Sequence, residues 1–352
     1  MKPCTATSCR RSLRGFSLVE LMVGMLMALI AVLVMMQALL NTEERGRSAT
    51  ADNEALSNGA VMLHLVARDL VQAGYGLNAL RLLGCALTLP SGAVIPLVPV
   101  AINPPSTVLP SRDANTDSLL LMYGSSESQP EGNPVAAVAG GRYTVQAPSS
   151  FATGDFVIAA PDSCPAPLTL AQVTAVNATQ VTVDTVEPAA TALYNLGKSP
   201  RIVGYRVHDG SLVSCDLLRR DCRSQSVDWA PVSANMPSLR AVYGRDTAAP
   251  AMDGAADTWD QATPTTACGW ARTLAVRVAL VARNSHYESF IDPATRRRSC
   301  EAVTTTATPP WEGSVAAPIT LPGTDWQCHR HKLFETLVPT RNVIWMEAQA
   351  GC

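Results

Sequence analysis

Aromatic residues make up only 5% of this chain and charged residues only 16%. There are five histidines in 352 residues, and no two cysteines stand in a CxxC pair. The sequence has no GxSxG elbow, no HExxH helix and no Walker loop, and Gly74-x-Gly76 lacks the third glycine of a dinucleotide fingerprint. These absences remove the commonest hydrolase, zinc-protease and nucleotide chemistries, and no enzymatic activity is expected. Basic charge is scarce as well. Met1–Gly15 holds Lys2, Arg10, Arg11 and Arg14 and no acid, so the remainder keeps 23 of the 27 Lys and Arg against 29 Asp and Glu, a formal −6. A body of that sign binds polyanions poorly, because DNA binding needs Lys and Arg to replace phosphate counterions. Arg296-Arg297-Arg298 fits a solvated loop, and no nucleic-acid partner is expected.

What is abundant points to strands and loops. The chain has 25 prolines and 22 glycines, with long stretches rich in Val, Thr, Ala and Ser. Ten cysteines are present, two of them (Cys4 and Cys9) near the N-terminus and eight further on. An even number beyond a membrane-targeting segment suits an oxidising compartment and disulfides. Eight thiols allow about 105 pairings, and Cys215 with Cys222 is the one pair close enough in sequence to name as a candidate. His329 and His331 would face one side of a strand but lack a second ligand pair at readable spacing. Asp253, Asp257 and Asp260 with Gly254 form an acidic stretch that departs from the EF-hand pattern. No metal and no cofactor are expected.

The apolar run Phe16–Leu40 contains only Ser17, Glu20 and Gln37 as polar residues. It exceeds the roughly 7 to 15 apolar residues of a secretory signal, and the nearest small-x-small site, Ala49-Thr50-Ala51, lies well beyond it. A plain anchor fits the length, since about 20 apolar residues span a bilayer, and the basic residues ahead of it would hold the N-terminus in the cytoplasm. An anchor alone leaves Glu20 unexplained. An ionised group in hydrocarbon costs about 2 to 3 kcal/mol even on lenient insertion scales, so a specific partner is the economical reading.

"RGFSLVELMVGM" resembles the N-terminal signal of type IV pilins and type II secretion pseudopilins: a basic leader ending in Gly, then Phe, then an apolar helix with Glu at its fifth position. The resemblance implies cleavage between Gly15 and Phe16 by a prepilin peptidase, N-methylation of Phe16, and Glu20 as the partner of a neighbouring subunit's α-amino group. Such a buried pair often contributes more to register than to net stability. "HLVARDLVQAGYG" (64–76), "TLAVRVALVAR" (273–283) and "LFETLVPTRN" (333–342) resemble PilW-type minor pilins, and the first of them also resembles, less closely, J-type pseudopilins.

Beyond the run, Leu56, Ala60, Leu63, Ala67 and Leu70 recur at steps of four and three and predict the packing face of a helix. One helix is expected from about Phe16 to Ala73, stopped by Gly74 and Gly76. Six prolines between Leu89 and Pro110 predict an irregular wrap without regular pairing. Strands are expected at 117–124, 154–160, 168–176, 179–186, 239–245, 272–283 and 332–345, with a hairpin over 201–218 turning at Asp209-Gly210. In 272–283, Leu274, Val276, Val278, Leu280 and Ala282 share a face, which predicts one buried side.

The expected fold class is α+β, type IV pilin-like, with a long N-terminal helix packed on a β-rich antiparallel periplasmic head. The expected parts are a removable leader (1–15), the N-terminal helix (16–76, membrane-spanning over 16–40) and the head (77–352), with a candidate β subdomain around 115–200. The resemblance implies a minor pilin that primes or caps a type IV pilus from the inner membrane. Its partners would be the prepilin peptidase, other minor pilins, the major pilin, the inner-membrane assembly platform and membrane lipid. A J-type pseudopilin of a type II secretion tip and a pilus-associated adhesin are the alternatives.

Overall fold

A computed structural model describes residues 17–110, 112–125, 130–223, 229–344 and 346. Helix α1 runs over Leu18–Gln72 without a break. The strands that follow are β1 (Ala86–Thr88), β2 (Val94–Pro96), β3 (Val100–Ile102), β4 (Ser118–Tyr123), β5 (Asn133–Ala139), β6 (Arg142–Val145), β7 (Phe156–Ala160), β8 (Leu168–Val176), β9 (Gln180–Val183) and β10 (Ala192–Gly197). They continue as β11 (Arg201–His208), β12 (Ser211–Asp216), β13 (Ala230–Ser233), β14 (Ser238–Arg245) and β15 (Thr258–Asp260). After the short helix α2 (Ala267–Ala271) come β16 (Thr273–Arg283), β17 (Ser289–Ile291), β18 (Arg298–Cys300), β19 (His331–Pro339) and α3 (Arg341–Ile344). A long helix followed by a β-rich, predominantly antiparallel head is the architecture expected from the sequence.

The chain divides into two compact units, Met1–Thr50 and Ala51–Cys352. In the first, α1 is apolar up to Leu40 and its side chains over Leu18–Leu40 are exposed. Its best 18-residue window has a mean hydropathy of 2.6, long and apolar enough to cross a membrane, and none of that window is buried. In water such a surface would be very costly at about 25 cal/mol per Å2, so it is built to be covered by lipid or by other helices.

Within the second unit, the head contains three sheets of four or more strands. β13-β12-β11-β4-β3 forms one and β15-β14-β16-β19 another. The Asp209-Gly210 turn joins β11 to β12 with φ of 49° and 64°, the left-handed pair that a tight hairpin of right-twisted strands requires. Asp113 secures this turn by accepting the N–H groups of both residues, at 3.0 and 2.8 Å. The two sheets meet at Asp117, which is 1% exposed and accepts from Arg240, Ala241 N–H, Asn103 and Gln261. A buried carboxylate is tolerable here because each donor replaces lost water.

The third sheet closes on itself. Its order is β2-β1-β8-β7-β10-β5-β6-β9, and β8 also pairs with β9, so β5 to β10 make a six-stranded barrel. Tyr143, Val157, Val181 and Leu193 are fully buried in its own interior cluster.

Two expectations are corrected. The proline-rich stretch 89–110 is not free of pairing, because β2 pairs with β1 and β3 with β4. Each strand is only three residues long, β2 ending on Pro96 and β3 lying between Pro99 and Pro104, which explains why composition hid them. β16 is buried on both faces rather than one. Val276, Val278, Leu280 and Ala282 enter the main core, as expected, while Ala279 and Val281 enter a second cluster with Trp311, Ala317, Ile319 and Leu321. The irregular segment carrying Trp311 supplies the second cover, and no periodic pattern marks it in the sequence.

Candidate functional site

Gly15 and Phe16, the expected processing pair, lie outside the described residues, as does the leader. Glu20 sits in the first turn of α1, exposed, and accepts a long 3.5 Å hydrogen bond from Ser17 N–H. No ion pair involves Glu20 among the described residues. At an N-terminal turn a carboxylate also complements the unpaired N–H groups and the positive end of the helix dipole.

The other end of α1 is held by the head at three levels. Lowest, Asp52 accepts 2.8 Å from Asn284 Nδ2 and lies 3.8 Å from Arg330, which is paired in turn to Glu288 at 3.0 Å. The Glu288 hydrogen bond raises the Arg330 pKa above its ordinary value, so the cation persists at any physiological pH. Next, Ala55, Met62, Val66 and Leu70 enter the main core, and Gly59 lies on the same face against the Phe334 ring. A Cβ at position 59 would overlap that ring, so the missing side chain lets helix and strand approach.

This face differs from the predicted one. Leu70 is buried, but Leu63 and Ala67 are half-buried on the flank, and Leu56 and Ala60 face solvent. Steps of three and four allow more than one stripe on a helix. The head chose the one containing Ala51, Ala55 and Gly59, where small side chains permit close approach, over the bulkier Leu56 line.

At the top, Asp69 is 1% exposed. Its Oδ2 accepts 2.7 Å from the Tyr205 hydroxyl, and its Oδ1 accepts 3.2 and 3.0 Å from Arg68. Burial, and then the Asp69 charge, push the Tyr123 phenol up to about 12 and raise Tyr205 further still. Both tyrosines therefore remain neutral donors. Arg68 is raised by its hydrogen bond to Asp69. Asp69 is therefore a buried anchor and not part of the solvated surface of the helix.

The helix then stops at Gly74, with φ of 84°, whose N–H donates 2.8 Å to Met122 O. The amide of Asn342 donates to Val71 O, Gln72 O and Ala73 O at 3.3, 3.0 and 3.0 Å. The terminal carbonyls of a helix lack partners along the chain. Here one side chain from the far end of the sequence supplies them.

Cys215 and Cys222 are bonded, as are Cys85 with Cys164 and Cys300 with Cys328. Cys268 is also disulfide-bonded. His329 gives Nδ1 to the carbonyls of Asn284 and His286. Burial, helped by Arg283 and His329, lowers the His331 pKa to about 4. In the acidic stretch Asp246, Asp253 and Asp257 come within 4.8 Å of one another, while Asp260 turns away to pair with Arg245 at 2.6 Å. Asp246 and Asp257 accept backbone N–H groups of their own loop, which accounts for that cluster.

The head residues that grip the top of α1, Tyr205 and Asn342, lie near the two ends of one stretch of chain. A family model described as type IV pilus-assembly protein W matches residues 204–342. This stretch is similar to the PilW family. The matched segment also contains Phe334, Asn284 and Arg330, so each of the three levels of contact draws on it. No curated protein matches the chain. Among solved structures it is similar to the type IV-like pilin TTHA1219 from Thermus thermophilus, at 13% identity over 83% of this chain and 97% of that one, with a TM-score of 0.34. That likeness is too slight to carry an argument.

Sequence reasoning missed Asp69, Tyr205, Asn342 and Gly59 as members of one site. The available signal was indirect: Arg68-Asp69 and the terminal Thr340-Arg341-Asn342 both lay in the stretches that carried the family resemblance.

Proposed function

We propose that this protein takes part in type IV pilus assembly as a minor pilin, priming or capping the fibre together with other minor pilins. The match of residues 204–342 to the pilus-assembly family carries the reading. The apolar, uncovered N-terminal half of α1 and the prepilin-like stretch around Gly15, Phe16 and Glu20 support it. In this reading a prepilin peptidase removes the leader and Phe16 is methylated. The helix anchors the chain once in the inner membrane with the head in the periplasm. Its role is structural and not catalytic: apolar helices pack side by side, and Glu20 accepts a neighbour's terminal amine. Two opposite charges in a low-dielectric core then satisfy each other, which favours one register over its neighbours. The protein would thereby contact other minor pilins, the major pilin and the inner-membrane platform.

The test is mass spectrometry of the mature N-terminus in host cells with and without the prepilin peptidase, combined with co-purification of pilins. Methylated Phe16 should appear only with the peptidase. Glu20→Ala should leave cleavage largely intact and reduce recovery with partner pilins. An intact leader, or normal piliation and co-purification of the Glu20→Ala protein, would overturn the proposal.

A further inference from the structure

The barrel stands in the middle of a hairpin. Strands β4 and β11 are antiparallel neighbours whose last register pair joins Tyr123 to Arg201. Two residues suffice to connect such a pair, yet residues 124–200 intervene. Within that interval β5 to β10 form a closed ring, β8-β7-β10-β5-β6-β9 and back to β8. The ring is made by strands that turn corners. β8 pairs with β7 through Leu170–Gln172 and with β9 through Val173–Val176, while β5 pairs with β10 at its start and with β6 beyond.

The barrel has its own interior. Tyr143 is fully buried in it, with its hydroxyl accepting 2.6 Å from Glu187 N–H. Asp155 accepts from Ala152 N–H and Asn195 at 2.8 and 2.9 Å, tying the loop before β7 to β10. Closure also leaves the six strands without an open edge, the usual site of unwanted pairing with other chains. Outside the ring, the attachments are the short parallel pairing of β1 with β8, the Cys85–Cys164 disulfide, backbone hydrogen bonds from Gly124 N–H to Tyr75 O and from Asn78 N–H to Pro130 O, and one outer face on which Ile158, Ala160, Leu168, Leu170, Tyr194 and Leu196 enter the main core. None of the head residues that hold α1 (Tyr123, Tyr205, Asn284, Arg330, Phe334 and Asn342) belongs to it. The family match, at 204–342, begins after it ends.

We infer that residues 124–200 are an inserted, self-contained module, and that assembly is carried by α1 with the platform of β3, β4, β11–β16 and β19, without help from the barrel. The assembly half of this inference rests on the proposed function; the folding half does not. The barrel is a separate cooperative unit presented by a pilin platform, and the sequence of its outer wall, apart from the face packed on the main core, is free to change without altering how the helix is held.

The experiment uses the full chain with one interior substitution, Tyr143→Ala, followed by native-state hydrogen exchange and by complementation of a host strain lacking the gene. The expected result is loss of amide protection confined to 131–197, with β11, β14, β16 and β19 protected as in the unaltered chain and piliation restored to the same level. A second variant replaces 124–200 by Asn-Gly and carries Cys85→Ala, with full-length Cys85→Ala/Cys164→Ala as its control. Equal loss of protection in barrel and platform would overturn the inference. So would a Tyr143→Ala chain, or a folded Asn-Gly chain, that fails to restore piliation where the unaltered chain succeeds. If the unaltered chain itself fails to restore piliation, the proposed function falls, and the exchange pattern still decides whether the barrel is a separate unit.

Discussion

The hydroxyl of Tyr205 donates a 2.7 Å hydrogen bond to Asp69 across 136 residues of sequence, joining the last turns of α1 to the centre of a sheet. Asp69 is buried, so its charge is held by partners and not by water. The arrangement converts a carboxylate that would be costly in a core into a point of attachment.

Breaking this attachment from the Asp69 side should be the more damaging change. Asp69→Ala leaves the Tyr205 hydroxyl without its acceptor, and a loss of about 2 to 3 kcal/mol is expected. Tyr205→Phe removes one donor and should cost about 1 to 1.5 kcal/mol. Denaturant unfolding of the two single variants and the double variant should give a coupling energy clearly above zero; additive losses would mean that the contact contributes nothing specific.

Gly59 should reverse an ordinary rule. Gly to Ala inside a helix usually stabilises by about 0.8 to 1 kcal/mol, but here the new methyl group would meet the Phe334 ring. Gly59→Ala is expected to lower the melting temperature in the unaltered protein and to raise it in a Phe334→Ala background. A stabilised single variant would show that the ring simply swings aside.

Asn342→Ala removes three bonds to the helix terminus. A loss of about 1 kcal/mol is expected, with faster amide exchange over the final turn of α1. Asn342→Asp cannot donate and should fare no better, whereas unchanged exchange would assign that cap to other groups.

Disulfide removal should follow loop length. The Cys85–Cys164 pair spans 79 residues and Cys215–Cys222 spans 7. In the chain-entropy model these closures are worth about 4.5 and about 2.4 kcal/mol, so Cys85→Ala/Cys164→Ala should lower stability more than Cys215→Ala/Cys222→Ala in parallel denaturation curves.

Stability should also fall on acidification through one named group. His331 has its pKa lowered to about 4, chiefly by burial, against about 6.5 in an unfolded chain. Between those values the unfolded state binds the extra proton, so stability is present above pH ~6.5 and declines as pH falls toward ~4. His331→Gln should flatten that limb in unfolding curves taken across the window. An unchanged slope would place the effect on other residues.

The sequence by itself determined the elements whose signals are local. The uninterrupted apolar run with its lone Glu20 marked a helix built to be covered, Gly74 marked where that helix ends, and Asp209-Gly210 marked a tight hairpin, because backbone sterics and period-two or period-3.6 patterning act over a few residues. Tertiary structure alone decided which stripe of α1 meets the head, since Leu56–Ala60 and Ala55–Gly59 satisfy the same spacing and only head residues distant in sequence, the Phe334 ring among them, select between them. It also decided that Asp69 is buried, that Asn342 caps a helix 270 residues earlier, and that six strands close into a barrel. Those outcomes depend on partners distant in the chain, and no local pattern encodes which distant residue arrives.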